Sequence, residues 1–170
     1  CTTIQNNSNV SVSTIEHLLA ALYLVGIDNA LIEINASEVP IMDGSSKEFV
    51  ESILKIGTKK QKAKRKYLKI LKKFDFKESE KFISIEPNEE SLNVDFELVY
   101  SNKIIGNQRN KINFSDKDLF NVYTSRTFCL YEDVEQIKKI GLAKGGSLDN
   151  AIVVKDNEIM NPAGLRNSKE

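Results

Sequence analysis

Apolar residues recur at helical spacing early in the chain, where Ile15, Leu18, Leu19 and Leu22 would share one face. The pattern predicts a helix over 14–25, with Ser13 placed to cap it and Gly26 placed to end it. Residues 1–12 alternate loosely and suit a strand leading into that helix. Asn29 to Ile34 reads as a second strand, with Ile32 and Ile34 on one face. A turn-rich passage from Asn35 to Gly44 follows. A helix over 46–56 then carries Phe49, Val50, Ile53 and Leu54 and stops at Gly57, with Ser45 and Glu48 spaced as a capping box. The first sixty residues thus read strand, helix, strand, helix.

Periodicity disappears from Lys59 to Lys66, which is nearly all basic. Strand patterns resume at Tyr67 to Leu71, Phe82 to Ile85 and Leu92 to Tyr100, the last with Val94, Phe96 and Leu98 alternating. Lys111 to Phe114 is a fourth candidate. Ser115 with Asp118 opens a short helix ending near Tyr123, and Asp133 to Ile140 forms another, with Val134, Ile137 and Ile140 on one face. Gly141, Gly145 and Gly146 punctuate a loop before an apolar strand from Asn150 to Val154, which turns at Lys155 to Glu158. The expected class is α+β, with antiparallel strands and helices on one face. Residues 1–58 and 67–170 are expected as two separate layers joined by the basic linker 59–66.

Composition narrows the function classes. At 170 residues and 41% apolar content, the chain holds one ordinary domain or parts of two. Its 24 basic and 24 acidic residues cancel, so the overall balance does not argue for nucleic acid. The Lys59–Lys66 run reads as a solvated linker, with a phosphate or nucleic-acid patch as the sharper alternative. Two cysteines, Cys1 and Cys129, are too few for a disulfide framework and suit a reducing compartment. No apolar run approaches a membrane span. The chain starts at Cys1 within an apparent strand and ends in polar residues, as expected of an internal piece of a longer protein.

The chemistry centres on Glu16 and His17, the latter the only histidine. Both fall in the first turn of the expected helix, where free N–H groups favour a carboxylate and a neutral, metal-ligating imidazole. Two readings are open on spacing alone. Ser13 and Glu16 could form a capping box, with His17 a hydrogen-bonded histidine near the core. Alternatively the pair is a general base beside a metal ligand. The order is not that of the zincins, in which glutamate follows histidine and a second histidine comes four positions on; Ala21 stands there.

Four blocks together are more specific. Val12-Ser13-Thr14-Ile15-Glu16-His17-Leu18 comes first, then Gly26-Ile27-Asp28-Asn29 with Val39-Pro40-Ile41-Met42-Asp43-Gly44-Ser45. Ser125-Arg126-Thr127-Phe128 and Gly145-Gly146-Ser147-Leu148-Asp149-Asn150-Ala151-Ile152-Val153 follow. In this order and spacing the chain resembles the UDP-3-O-acyl-N-acetylglucosamine deacetylases of lipid A biosynthesis, least clearly between residues 57 and 115. The resemblance implies a zinc amidohydrolase of two β-α-α-β sandwich domains with the active site between them. Residues 1–58 would be the end of the first domain, and 67–170 most of the second, with an insert at about 130–153.

The resemblance makes His17 a zinc ligand and Glu16 the general base. Thr127 would offer its hydroxyl to an oxyanion, and Phe128 would pack beside the substrate sugar. Leu130, Val134, Gly146, Ser147, Ala151 and Val153 are candidate lining for an acyl passage; for Val134 and Val153 an ordinary core role is equally open. Cys1 would lie near the site's mouth, and Met42-Asp43-Gly44 would be a turn feeding the second helix. The family's remaining zinc ligands belong to a His-Lys-x-x-x-Asp motif expected beyond Glu170, and its acid histidine lies further on. Where some members carry an acidic residue followed by Phe near the uridine, this chain has Glu97-Leu98. The implied partner is an acylated UDP-sugar, handled by a cytoplasmic monomer without nucleic acid or a membrane span, near the inner membrane surface. This piece alone is expected to be inactive. Two further classes compete: a non-catalytic binding module using the basic patch, and a small-molecule kinase, which the lack of a phosphate-binding glycine-rich loop counts against.

Overall fold

The computed structural model describes residues 1–89, 91–115, 119–139, 143–168 and 170. The chain opens with an antiparallel ribbon of β1 (Thr3–Gln5) and β2 (Ser11–Ser13), Thr3 opposite Ser13. Helix α1 (Glu16–Val25) follows and packs on α2 (Lys47–Ile56). Ile15, Ala21, Val39 and Val50 are the buried apolar residues of this region. Gly26 ends α1 in the left-handed conformation at φ 76°, its N–H reaching the last carbonyls, as the sequence predicts.

Neither capping box forms. Thr14 turns at φ 58° and donates its hydroxyl to Glu38, so Ser13 stays in its strand and shares a 2.8 Å hydrogen bond with Thr3. The helix begins two residues later, with Ile15 at the cap and no side-chain cap bond. At α2 the Ser45 hydroxyl accepts from the N–H of Lys47 at 3.1 Å, and Glu48 is exposed.

The expected strand at Asn29 to Ile34 is absent. Leu31 is 89% exposed, and among the described residues no neighbouring strand offers the partner that its alternation would need. Only an isolated parallel bridge, Ser13 to Glu38, forms nearby. The expected strand at Tyr67 to Leu71 is missing for the same reason, its apolar side chains lying in solvent. No helix or strand runs through 59–66; there Arg65 folds back to bond Asp28 at 2.8 Å and the Gly26 carbonyl at 2.7 Å.

Two antiparallel hairpins come next. Strand β3 (Phe74–Glu78) pairs with β4 (Lys81–Ile85), and β5 (Asn93–Val99) pairs with β6 (Asn107–Asn113). The sequence pattern missed β3 and placed the start of β6 four residues late. Helix α3 (Phe120–Thr124) follows; the expected contribution of Asp118 lies outside the described residues. Strand β7 (Phe128–Leu130), helix α4 (Tyr131–Lys139) and strand β8 (Ile152–Lys155) then form a crossover unit, closed by β9 (Glu158–Ile159). Ile140 and Gly141 lie outside the described residues. Strands β7 and β8 are parallel, against the all-antiparallel expectation, because the chain returns through α4 to the same end of the sheet. Only β8 and β9 pair antiparallel in that sheet.

The class is α+β, with helices and small sheets. Ile105, Ile152 and Val154 form the second buried cluster, with Leu98, Leu130 and Ile159 packed around it. The sheet β7–β8–β9 therefore turns one face toward the β5–β6 hairpin. Among the described residues no helix is long and apolar enough to cross a membrane.

Candidate active site

Glu16 and His17 occupy the first turn of α1, both half-buried. The Glu16 carboxylate accepts from the Thr2 N–H at 2.9 Å, which brings Cys1 next to it along the chain. Burial pushes this carboxyl up, but the Thr2 N–H and its own helical N–H outweigh that and hold it below the usual range. It is therefore ionised, and able to accept a proton, throughout the neutral range. The His17 carbonyl accepts from the Ser46 hydroxyl at 2.9 Å, which ties this first turn to the start of α2.

Ser46 belongs to a turn that holds several segments at once. Gly44 sits at φ 83°, and a Cβ there would come within 2.0 Å of the Asn150 carbonyl oxygen, so no larger residue fits. The Gly44 carbonyl accepts from the Thr127 N–H at 2.8 Å, and the Ser46 N–H reaches the Tyr123 carbonyl at 3.1 Å. Thr127 in turn accepts from the Ile152 N–H at 2.8 Å, at the mouth of the β7–β8 ladder. The Thr127 backbone is thus fixed on both sides while the residue stays exposed. The Asp43–Ser46 turn links the Glu16–His17 helix to Thr127, a larger part than feeding the second helix.

Charged side chains surround that turn. Asp43 accepts from the Ser45 hydroxyl at 2.8 Å, the Ser45 N–H at 3.1 Å and Arg166 at 2.8 Å. Burial alone would push the Asp43 carboxyl up; these donors hold it down. Arg126 and Glu170 pair through Nε and one Nη of the guanidinium at 2.8 and 3.0 Å, their side chains 6% and 0% exposed. Burial pushes the Glu170 carboxyl up, but the Arg126 guanidinium and the N–H groups of Arg166 and Arg126 bring it to about 2.

Three of the remaining candidates, Phe128, Leu130 and Val153, lie on the two faces of one sheet. Leu130 packs in the cluster with Ile152 and Val154, and Phe128 meets Tyr100 edge to face at 5.5 Å. Phe128 lines a cavity of about 200 Å³ together with Phe96, Leu98, Arg126 and Glu170. Val153 is buried and alternates to the opposite face, with Cys129 as its partner across the ladder. The Cys129 thiol donates weakly to the Ile152 carbonyl at 3.8 Å, and burial, with Asp133 nearby, pushes it up. Val134 lies half-buried on α4. Gly146 and Ser147 are exposed in the following loop, where the Asn150 side chain accepts from the Ser147 N–H at 2.8 Å. Ala151 directly precedes β8.

Among the described residues, no group of three His, Cys, Asp or Glu side chains converges as a metal site. The sequence offers one imidazole, His17, where a catalytic zinc site takes three protein ligands. Arg166 and Glu170 escaped the sequence reading because their partners lie far away in the chain; Arg126 stood inside a recognised block without a role.

Comparison with known proteins gives a consistent result. The family model LpxC, "UDP-3-O-acyl N-acetylglycosamine deacetylase", matches residues 1–170. A protein of Nautilia profundicola named UDP-3-O-acyl-N-acetylglucosamine deacetylase is 44% identical over 160 residues, covering 94% of this chain and 54% of that protein. Proteins of the same name from Haemophilus ducreyi and Campylobacter hominis are 39% and 40% identical, covering 100% and 99% of this chain and 56% and 57% of theirs. The chain spans about half the length of the curated relatives it matches. On this match, the chain belongs to the UDP-3-O-acyl-N-acetylglucosamine deacetylase family.

Proposed function

We propose that the protein containing this chain hydrolyses the acetamide of UDP-3-O-acyl-N-acetylglucosamine, releasing acetate, as a zinc-dependent step of lipid A biosynthesis. The family match over residues 1–170 carries this reading. In it, His17 is one zinc ligand and the others come from residues outside this chain. Bound zinc would supply water acidified to a pKa of about 7. The chain's own part rests on Glu16 and Thr127. Glu16, ionised at neutral pH, takes the proton of the attacking water, a contribution of about 10²–10⁴-fold. The Thr127 hydroxyl donates to the oxygen that gains charge at the reacting carbonyl. Cys1 lies beside Glu16 at the mouth, Phe128 packs on the sugar, and the 130–153 segment meets the acyl chain. In this reading the chain by itself is inactive, since His17 is the one imidazole it supplies. The whole protein works as a cytoplasmic monomer near the inner membrane surface, on an acylated UDP-sugar and without nucleic acid.

The test uses the full-length protein. Glu16→Ala should cut turnover with zinc retained, and His17→Ala should lose zinc as well as turnover. Normal zinc content and activity in the His17 variant would overturn the ligand assignment. The basic patch gains no comparable support, since Arg65 is already engaged by Asp28 and the Gly26 carbonyl.

A further inference from the structure

The bonds around Gly44 close into a circuit. Starting from Thr127, its N–H is held by the Gly44 carbonyl at 2.8 Å. Gly44 follows Asp43, whose carboxylate takes the Arg166 guanidinium at 2.8 Å. The same Arg166 nitrogen also donates to the Thr124 carbonyl at 3.0 Å and to the Ser45 hydroxyl at 3.3 Å. The Arg166 N–H donates to Glu170. Glu170 then grips Arg126 twice through its guanidinium and once through its backbone N–H, at 2.8 Å. Arg126 precedes Thr127, and the circuit is complete. One branch leaves it: Ser46, next to Ser45, holds the His17 carbonyl.

The geometry points to Arg166 as a positioning residue that sets the Thr127 hydroxyl against the Glu16–His17 turn. The inference rests on the role given to Thr127 above. Three observations carry it. Arg166 alone among these side chains touches the turn, the α3 end and, through its backbone, Glu170. Arg166 is exposed, but its guanidinium ends on Ser45, which is fully buried, and on Asp43, whose side chain is 15% exposed. Thr127 itself is exposed and held by its backbone alone in the bonds described, so its direction follows that of its neighbours. All three acceptors meet one terminal nitrogen of the guanidinium, and the lysine ammonium sits one bond nearer the backbone, short of that point. A reacting group displaced by about 1 Å loses up to about 10²-fold in rate.

The experiment compares Arg166→Lys, and Asp43→Asn as a second variant, in the full-length protein. Two readouts are taken. Exchange of the Thr127 amide hydrogen, resolved by residue, should quicken about tenfold in both variants. The kcat should fall about tenfold with KM changed less than about twofold, and Arg166→Lys should add nothing in a Thr127→Ala background. Unchanged exchange at Thr127 would overturn the brace, whatever the activity. Faster exchange with an unaltered kcat, or full additivity with Thr127→Ala, would overturn its part in the reaction. If Thr127→Ala keeps full turnover, the role of Thr127 fails instead, and the exchange result still decides the brace. Should Arg166→Lys not fold, Asp43→Asn gives the same readouts.

Discussion

Around Gly44 every buried side-chain polar atom among the described residues has a partner, and most of those partners are distant in the chain. Across the β3–β4 and β5–β6 hairpins the backbone ladders are complete, yet Phe74, Phe76, Phe82, Ile83 and Phe96 stand in solvent. One region is specified by long-range polar bonds at fixed distances. The other is specified locally, by register and by turns. Side chains that already stand in solvent have little packing to lose, so the second region depends less on any one of them. Single changes should therefore be severe in the first region and mild in the second.

The largest effect is expected at Gly44. In Gly44→Ala the new methyl would meet a backbone carbonyl that cannot swing aside. Denaturant unfolding of the intact protein should show a loss above about 4 kcal/mol, or no folded protein. A loss below about 1 kcal/mol would mean the Gly44–Asn150 approach is not kept in solution. Next comes Glu170→Gln, which leaves the buried Arg126 without its counter-charge and should cost about 3–5 kcal/mol.

The same pair has an acid signature. The Glu170 carboxyl is held at about 2 in the folded chain, below its ordinary value of 4.5. A depressed carboxyl stabilises the fold fully above the unfolded value and loses that contribution as pH falls toward the folded one. Stability should thus drop by about 3 kcal/mol between about pH 4.5 and 2. Glu170→Gln should flatten that slope; an unchanged slope would assign it to other carboxylates. The smallest effect is Phe76→Ser on the exposed hairpin. In the 170-residue chain, the melting midpoint should move by less than about 0.5 kcal/mol in equivalent stability. A larger loss in the longer, intact protein would show that another segment covers this face there.

The sequence made local features legible and distant ones not. Both long helices, their glycine stops and the β5 alternation follow from neighbours a few residues apart, and all three are present. Asn29 to Ile34 alternates correctly but has no partner strand, and alternation cannot reveal that. The capping boxes fail because Ser13 and Ser45 are drawn to Thr3 and Asp43 instead. The Asp43–Arg166 bond spans 123 positions, and no periodicity carries such a signal. Glu16, His17 and Thr127 stood out by the blocks around them; the turn that joins them became visible only through folding.

The Cys129 thiol gives the chain a practical handle. Its raised pKa and half-burial keep the thiolate scarce at neutral pH, and alkylating reagents attack the thiolate. Cys1 is exposed, and the chain has no other cysteine. A brief maleimide treatment would therefore attach one dye at Cys1, one residue from the Thr2 N–H that holds Glu16, and report optically on that carboxylate's surroundings without any engineered mutation.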